Sequence, residues 1–293
     1  MRISVYLPLL LSLALPIATP LLAGRLAPAL ATRVLTASAA IAAAASTWGL
    51  TLLALTLIAR SPAVGEGPPT GDPVPTLVAA LAMLVLVAGG LRAGRTARVR
   101  RHTEQDLRAV CDLSHAGAEL AIIADATPHA LAVPGRPGHI LISTGLLRAT
   151  SPEDRTVVLA HERAHLHHQH HRYRAIADLA AAVNPLLRPT RDAVAFLVER
   201  WADETAAAAI GSRQHTAASL AKVALLTTPA TGSPLLAFHH HAVLERVRAL
   251  QGPAAQSRPT LALAGTAPAA VTTLATGDAT IAFLHMVSQL LGI

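Results

Sequence analysis

Long charge-free runs dominate the first third of the chain. Residues 3–23, 34–59 and 73–91 contain no Asp, Glu, Lys or Arg, and a fourth such run, richer in Ala, Thr and Gly, covers 259–277. Roughly 20 apolar residues suffice for a helix to cross ~30 Å of hydrocarbon, so the pattern predicts four transmembrane helices. The first run also fits a signal peptide ending near "TPLLAG", with Arg2 as a thin basic start. The other three spans stand either way. Between the third and fourth runs the pattern changes to polar stretches with helical spacing and a β-branched segment, "GHILISTGLL" (138–147). That segment reads either as an edge strand able to hold an extended substrate or as a structural strand under a helix. After the fourth run, "GDATIAFLHMVSQLLGI" places Ile281, Leu284, Val287 and Leu291 at helical spacing behind Asp278, a candidate cap. This predicts a short helix on the outer surface.

Composition sharpens this picture. Of 293 residues, 52% are hydrophobic and only 14% charged, which points to a membrane protein. The charges are segregated. Residues 1–91 carry only Arg2, Arg25, Arg33, Arg60, Glu66 and Asp72, whereas nearly all others lie between Arg92 and Arg258. The predicted organisation is a three-helix membrane region over 1–91, a polar domain over 92–258, and a fourth span with the short helix over 259–293. The net charge of +7 does not read as a nucleic-acid surface, because the arginines crowd beside an apolar run. Arg92, Arg95, Arg98, Arg100 and Arg101 follow the third span directly, and Arg25 and Arg33 lie between the first two. The Pro/Gly-rich loop 60–75 holds one Arg and two acids. The positive-inside rule then places the polar domain in the cytoplasm, and the amino terminus and that loop outside. Cys111 is the sole cysteine. It excludes an internal disulfide and a cysteine zinc knuckle, and reads as a buried thiol.

Chemistry concentrates in "SPEDRTVVLAHERAHLHHQHHRY" (151–173). Ser151, Pro152 and Asp154 are helix-start signals, with Ser151 and Asp154 spaced for a capping box. On the helix they open, His161 and His165 are four apart and share a face. Two imidazoles so placed can converge on one metal ion, and Glu162 beside them can serve as general base: the HExxH arrangement of zinc peptidases. A catalytic zinc needs a third protein ligand and an open position. "FLVERWADETA" (196–206) offers Glu199 as that ligand, and Asp203, one helical turn on, as the carboxylate that accepts the second N–H of a ligating histidine. Of the histidines that continue the run, His168 and His171 alone come near the ligand face. The group reads as solvated polar positions with incidental metal affinity.

"VVLAHERAH" followed by "ERWAD" resembles the gluzincin membrane peptidases. It is most similar to the BlaR/MecR-type transducers, with the HtpX-type membrane proteases as cousins. "ATPHALAVPGRPGHILISTGLL" (126–147), with Pro134-Gly135 and Ser143-Thr144-Gly145-Leu146, resembles their segment ahead of the zinc helix. The likeness covers about residues 92–250. It implies a mainly α membrane protein carrying a cytoplasmic α+β zincin-like domain, in a short form without the penicillin-binding sensor domain. It also implies Zn2+ as cofactor and a cytoplasmic protein substrate, a winged-helix repressor, cut in regulated proteolysis. In HtpX-type relatives a histidine six residues before an arginine flanks the site and stabilises the oxyanion. His240 and Arg246 match that spacing, and their segment, "FHHHAVLERVRAL", reads equally as a basic helix near the membrane. Two other readings stay open: an HtpX-like quality-control protease, and a non-catalytic metal-binding signalling protein, which would not need Glu162.

Overall fold

Apolar runs in lipid form helices because only intrasegment hydrogen bonds satisfy their backbone. The computed structural model describes residues 7–59, 75–114, 119–227, 234–253, 270, 273–281, 283–285 and 288. It opens with three long helices: α1 (Leu7–Arg25), α2 (Pro28–Ala59) and α3 (Thr76–Ser114). α1 continues through Pro16 and Pro20. α2 packs against both α1 and α3. Among the described residues two helices are long and apolar enough to span a membrane, over Pro28–Thr56 and Thr76–Asp112. They differ in what surrounds them. In α2, 56% of the apolar window is buried inside the protein, against 17% in α3, so the hydrophobicity of α2 serves a protein core as much as a bilayer. The predicted first span lies partly, and the fourth span over 259–277 mostly, outside the described residues. Residues 273–281 are helical, which puts Asp278 inside the helix and not at its cap. Ala279 packs among Leu52, Leu53, Ala79 and Ala82, and Trp48 Nε1 donates to Thr280 Oγ1 at 2.7 Å. This end of the chain is seated on α2 and α3.

A three-stranded sheet follows: β1 (Leu120–Ile123), β2 (Ala130–Val133) and β3 (His139–Ser143). Its order is β1-β3-β2, with β1 parallel and β2 antiparallel to β3. "GHILISTGLL" is therefore not an edge. Its strand is central and buried at every residue, in keeping with its unbroken apolar pattern, and the structural reading of that segment holds. The edge strand that lies against the histidine helix is β2. Gly145, just after β3, is required by close approach: a Cβ there would sit 2.2 Å from the Ala126 carbonyl oxygen.

α4 (Thr144–Ala149), α5 (Pro152–His167), α6 (His170–Val183), α7 (Arg188–Ile210), α8 (Arg213–Thr227) and α9 (Pro234–Gln251) complete the described elements. α6 and α7 form a hairpin whose tip is a 3-10 turn over Pro185–Leu187, capped by Asn184. That hairpin is laid against the first two helices. Asn184 Nδ2 donates to Ser46 Oγ at 3.2 Å, and the hydroxyls of Thr19 and Thr190 meet at 3.0 Å. Leu22, Leu26, Leu35 and Ala39 share one buried cluster with Leu187, Val194, Leu197 and Val198. This core draws side chains from both sides of residue 91. On the α3 side, Arg92 Nε donates to the Ala182 carbonyl at 2.9 Å, and Arg100 Nη1 pairs with Asp178 at 2.7 Å. Cys111 is buried, as the sequence indicated.

The start of α5 is fixed twice over. The capping box between Ser151 and Asp154 is formed, and the same carboxylate accepts from Ser219 Oγ and Lys222 Nζ of α8. These contacts, led by that with Lys222, lower the Asp154 pKa from the ordinary 3.8 to about 2. A depressed carboxyl pKa contributes stability that is complete above the unfolded value and is lost as pH falls through the folded one. Asp154→Asn should therefore cost ~1.5–3 kcal/mol at neutral pH, the range for hydrogen bonds to a charged group. The gap to wild type in thermal unfolding should hold down to about pH 4 and narrow towards pH 2.

Candidate metal centre

α5 and α7 pack face to face, and their facing turns carry the donors. His161 and His165 are one turn apart on α5, and their Nε2 atoms approach to 3.1 Å. Glu199 comes from α7. Its Oε2 lies 3.5 Å from His161 Nε2 and its Oε1 3.8 Å from His165 Nε2. One ligand atom from each of the three lies within 4.8 Å of the others. Tetrahedral zinc with bonds of ~2.0–2.1 Å spaces its ligand atoms about 3.3 Å apart. The observed separations bracket that figure, and two imidazole nitrogens with one carboxylate are a catalytic zinc set. The residues fit the ion.

Behind the donors stands a second layer. Asp203, one turn beyond Glu199, is 1% exposed, and its Oδ1 faces His161 Nδ1 at 3.0 Å. Its other side is closed by Arg246 of α9, whose Nε and Nη2 each donate at 2.7 Å. Arg246 Nη1 lies 3.3 Å from Glu199 Oε2. The electrostatics follow from burial and this pairing. Burial opposes charge on His161, but the Asp203 and Glu199 carboxylates that accept from its ring outweigh it and raise the imidazole to about 10. Burial likewise opposes charge on Glu199, yet His161, His165 and Arg246 hold its carboxylate well below the usual range. His165, with burial dominating, falls to about 4 and keeps a lone pair free. The site thus gathers carboxylates around the three donor atoms, an arrangement that suits a divalent cation.

Glu162 is half-buried beside the donors, and burial pushes its carboxyl up, opposed by the His161 charge and the Ala132 amide of β2. The residues anticipated as donors, His161, His165 and Glu199, thus come together with Glu162, Asp203 and Arg246. The donors of Arg246 face the two carboxylates of α7. His240 lies in the backbone of α9, and its side chain falls outside the described residues.

The extended histidine run departs from a solvated helix face. Gln169 adopts a left-handed φ of 54°, so α5 ends at His167 and a new helix starts at His170. His170 is 1% exposed, and its Nδ1 lies 3.0 Å from Nδ1 of His165. Burial lowers its pKa to about 3. His168 stacks on Trp201 at 4.6 Å and contacts Thr205 Oγ1, and the Arg33 guanidinium lies 5.0 Å from the Trp201 ring centre. A continuous helical wheel misses these placements, and the break has no glycine or asparagine to announce it.

Residues 93–186 match the family model of peptidase family M48. The chain matches no curated protein and no solved structure. The matched segment takes in the second half of α3, the sheet, α4, α5 and α6, and is what this chain has in common with the metallopeptidases of that family, which typically use a metal, usually zinc. Glu199, Asp203 and Arg246 lie beyond it, so their place at the site rests on geometry alone.

Removing a carboxylate that supports a metal-ligating histidine costs ~10–100-fold in metal affinity. Asp203→Asn should weaken zinc binding by about that factor, and Glu199→Ala by more. Competition of the purified full-length protein against a chromophoric chelator reads both. Wild-type affinity in Glu199→Ala would remove it from the ligand set.

Proposed function

We propose that this protein is a multi-pass membrane zinc endopeptidase, held by lipid through four spans, whose site faces the cytoplasm and cuts a cytoplasmic protein. A transcriptional repressor of winged-helix type, destroyed in regulated proteolysis, is the substrate that the likeness to BlaR/MecR-type transducers favours. The observation that carries the enzymatic reading is the meeting of His161, His165 and Glu199 within 4.8 Å, with a half-buried Glu162 next to them.

His161, His165 and Glu199 would hold the ion. When bound, zinc supplies Lewis acidity that polarises a scissile carbonyl and acidifies a water molecule. Glu162 then takes the water proton on a carboxylate oxygen and hands it to the departing amine. Burial opposes the charge on Glu162, which favours the protonated form it passes through on the way to the amine. Asp203 keeps His161 oriented through Nδ1. Arg246 neutralises Asp203 and steadies Glu199, so that the buried carboxylates do not repel one another. The edge strand β2, beside Glu162, offers backbone groups to an extended substrate.

One observation favours the quality-control reading as runner-up. The site-bearing helix α7 shares its core with α1 and α2, and with these helices as spans the site would lie close to the bilayer and to membrane-embedded substrates. Incubation with a purified winged-helix repressor and with an unfolded membrane protein separates the two. Cleavage of the second alone would sink the repressor assignment.

Glu162→Gln preserves shape but cannot take a proton. It should bind zinc as wild type does while turnover falls by ~10²–10⁴-fold. Near-normal cleavage by this variant would exclude Glu162 as the base. The orientation, in turn, rests on five arginines over 92–101. Reporter fusions at Thr127 and at Gly67 should report opposite sides, with Thr127 in the cytoplasm. An extracytoplasmic Thr127 would end the cytoplasmic-substrate reading.

A further inference from the structure

We propose that His170 is a positioning residue that accepts the Nδ1–H of His165 and so fixes the tautomer and ring plane of that metal ligand. The inference rests on the assignment of His165 as a ligand. His165 turns Nε2 towards His161 Nε2 and Glu199, so Nε2 must be the coordinating atom and must be unprotonated. The proton of the neutral ring then sits on Nδ1. Nδ1 of His165 faces Nδ1 of His170 at 3.0 Å, and two protonated nitrogens cannot share that distance. His170 therefore presents a lone pair there and carries its own proton on Nε2.

Three features of the chain are arranged around this contact. First, on an uninterrupted helix His170 would lie about 140° from His165, on another face. The left-handed backbone at Gln169 turns the chain so that His170 points back at α5. A non-glycine residue held at positive φ is strained and persists only where its surroundings impose it. Second, the His170 ring is gripped by Trp201, at 4.7 Å between centroids, and stacked by His168 at 5.6 Å. Third, Nε2 of His170 is buried and has no hydrogen-bond partner among the described residues. An unmatched buried donor is destabilising, so apolar packing alone would favour an apolar residue at this position. What a histidine adds is the acceptor at Nδ1.

The two donor histidines are thus oriented by different chemistries. A carboxylate backs His161 and a neutral imidazole backs His165. A carboxylate raises the basicity of its ligand, whereas an imidazole orients without adding charge. With Glu199, Asp203 and Glu162 already around the ion, a neutral partner avoids a further buried anion.

Two substitutions in the full-length protein separate orientation from packing. His170→Phe keeps the ring and removes the acceptor. His170→Asn sacrifices the ring but keeps an oxygen near the place of Nδ1. Zinc affinity by chelator competition should fall ~10–100-fold in His170→Phe and stay within about threefold of wild type in His170→Asn. Visible spectra of the cobalt-loaded proteins should show altered ligand-field bands in His170→Phe only. Wild-type affinity in His170→Phe, or equal losses in both variants, would overturn the proposal. Failure of the wild-type protein itself to bind zinc would overturn the metal-site assignment beneath it.

Discussion

A carboxylate buried as completely as that of Asp203 has to be paired, because an isolated charge out of water is too costly to keep. Its partners are His161 of α5 and Arg246 of α9, and it sits on α7 itself. This one group therefore joins three helices and orients a metal donor at once. The same requirement explains Arg246. Its guanidinium is planar and forked, and spends two donors on Asp203 while a third reaches Glu199. Breaking such a cluster at one member strands a buried charge, which is far more damaging than loss of a surface pair.

Much of the site was legible because its signals are local. The i, i+4 spacing of His161 and His165, the capping box at Ser151 and Asp154, and the one-turn spacing of Glu199 and Asp203 each follow from a single helix. The likeness to known peptidases supplied Arg246 as a neighbour of the site, and the structure shows which groups it touches. What was hidden needed a tertiary or backbone event. Nothing in "HHQHH" says that Gln169 turns left-handed, so the sequence pattern leaves His170 among the solvated positions. β3 was open to both edge and central readings, because strand order is set by partners distant in sequence. Asp278 resembled a cap until neighbouring Ala279 proved to pack on α2 and α3.

Hydrophobicity in this chain carries two meanings that sequence alone merges. The apolar face of α3 is largely exposed, with Leu77, Leu84 and Leu91 each 64% exposed or more, as suits lipid contact. The apolar residues of α2 are in good part enclosed by α1, α3, α6 and α7. A hydropathy window cannot tell these cases apart, since both remove the side chain from water.

The cluster that joins α1 and α2 to the α6–α7 hairpin also determines what can be cut away. A truncated protein beginning after residue 91 would uncover Leu187, Val194, Leu197 and Val198, all fully buried in the intact chain. Exposing a large aliphatic side chain costs ~1.5–3 kcal/mol, and four of them together rival the ~5–15 kcal/mol that holds a typical domain folded. The part of the molecule that carries the candidate donors is therefore not detachable. Its first two helices are part of the frame that seats α7, and losing them would unsettle Glu199 and Asp203 together with the core beneath them.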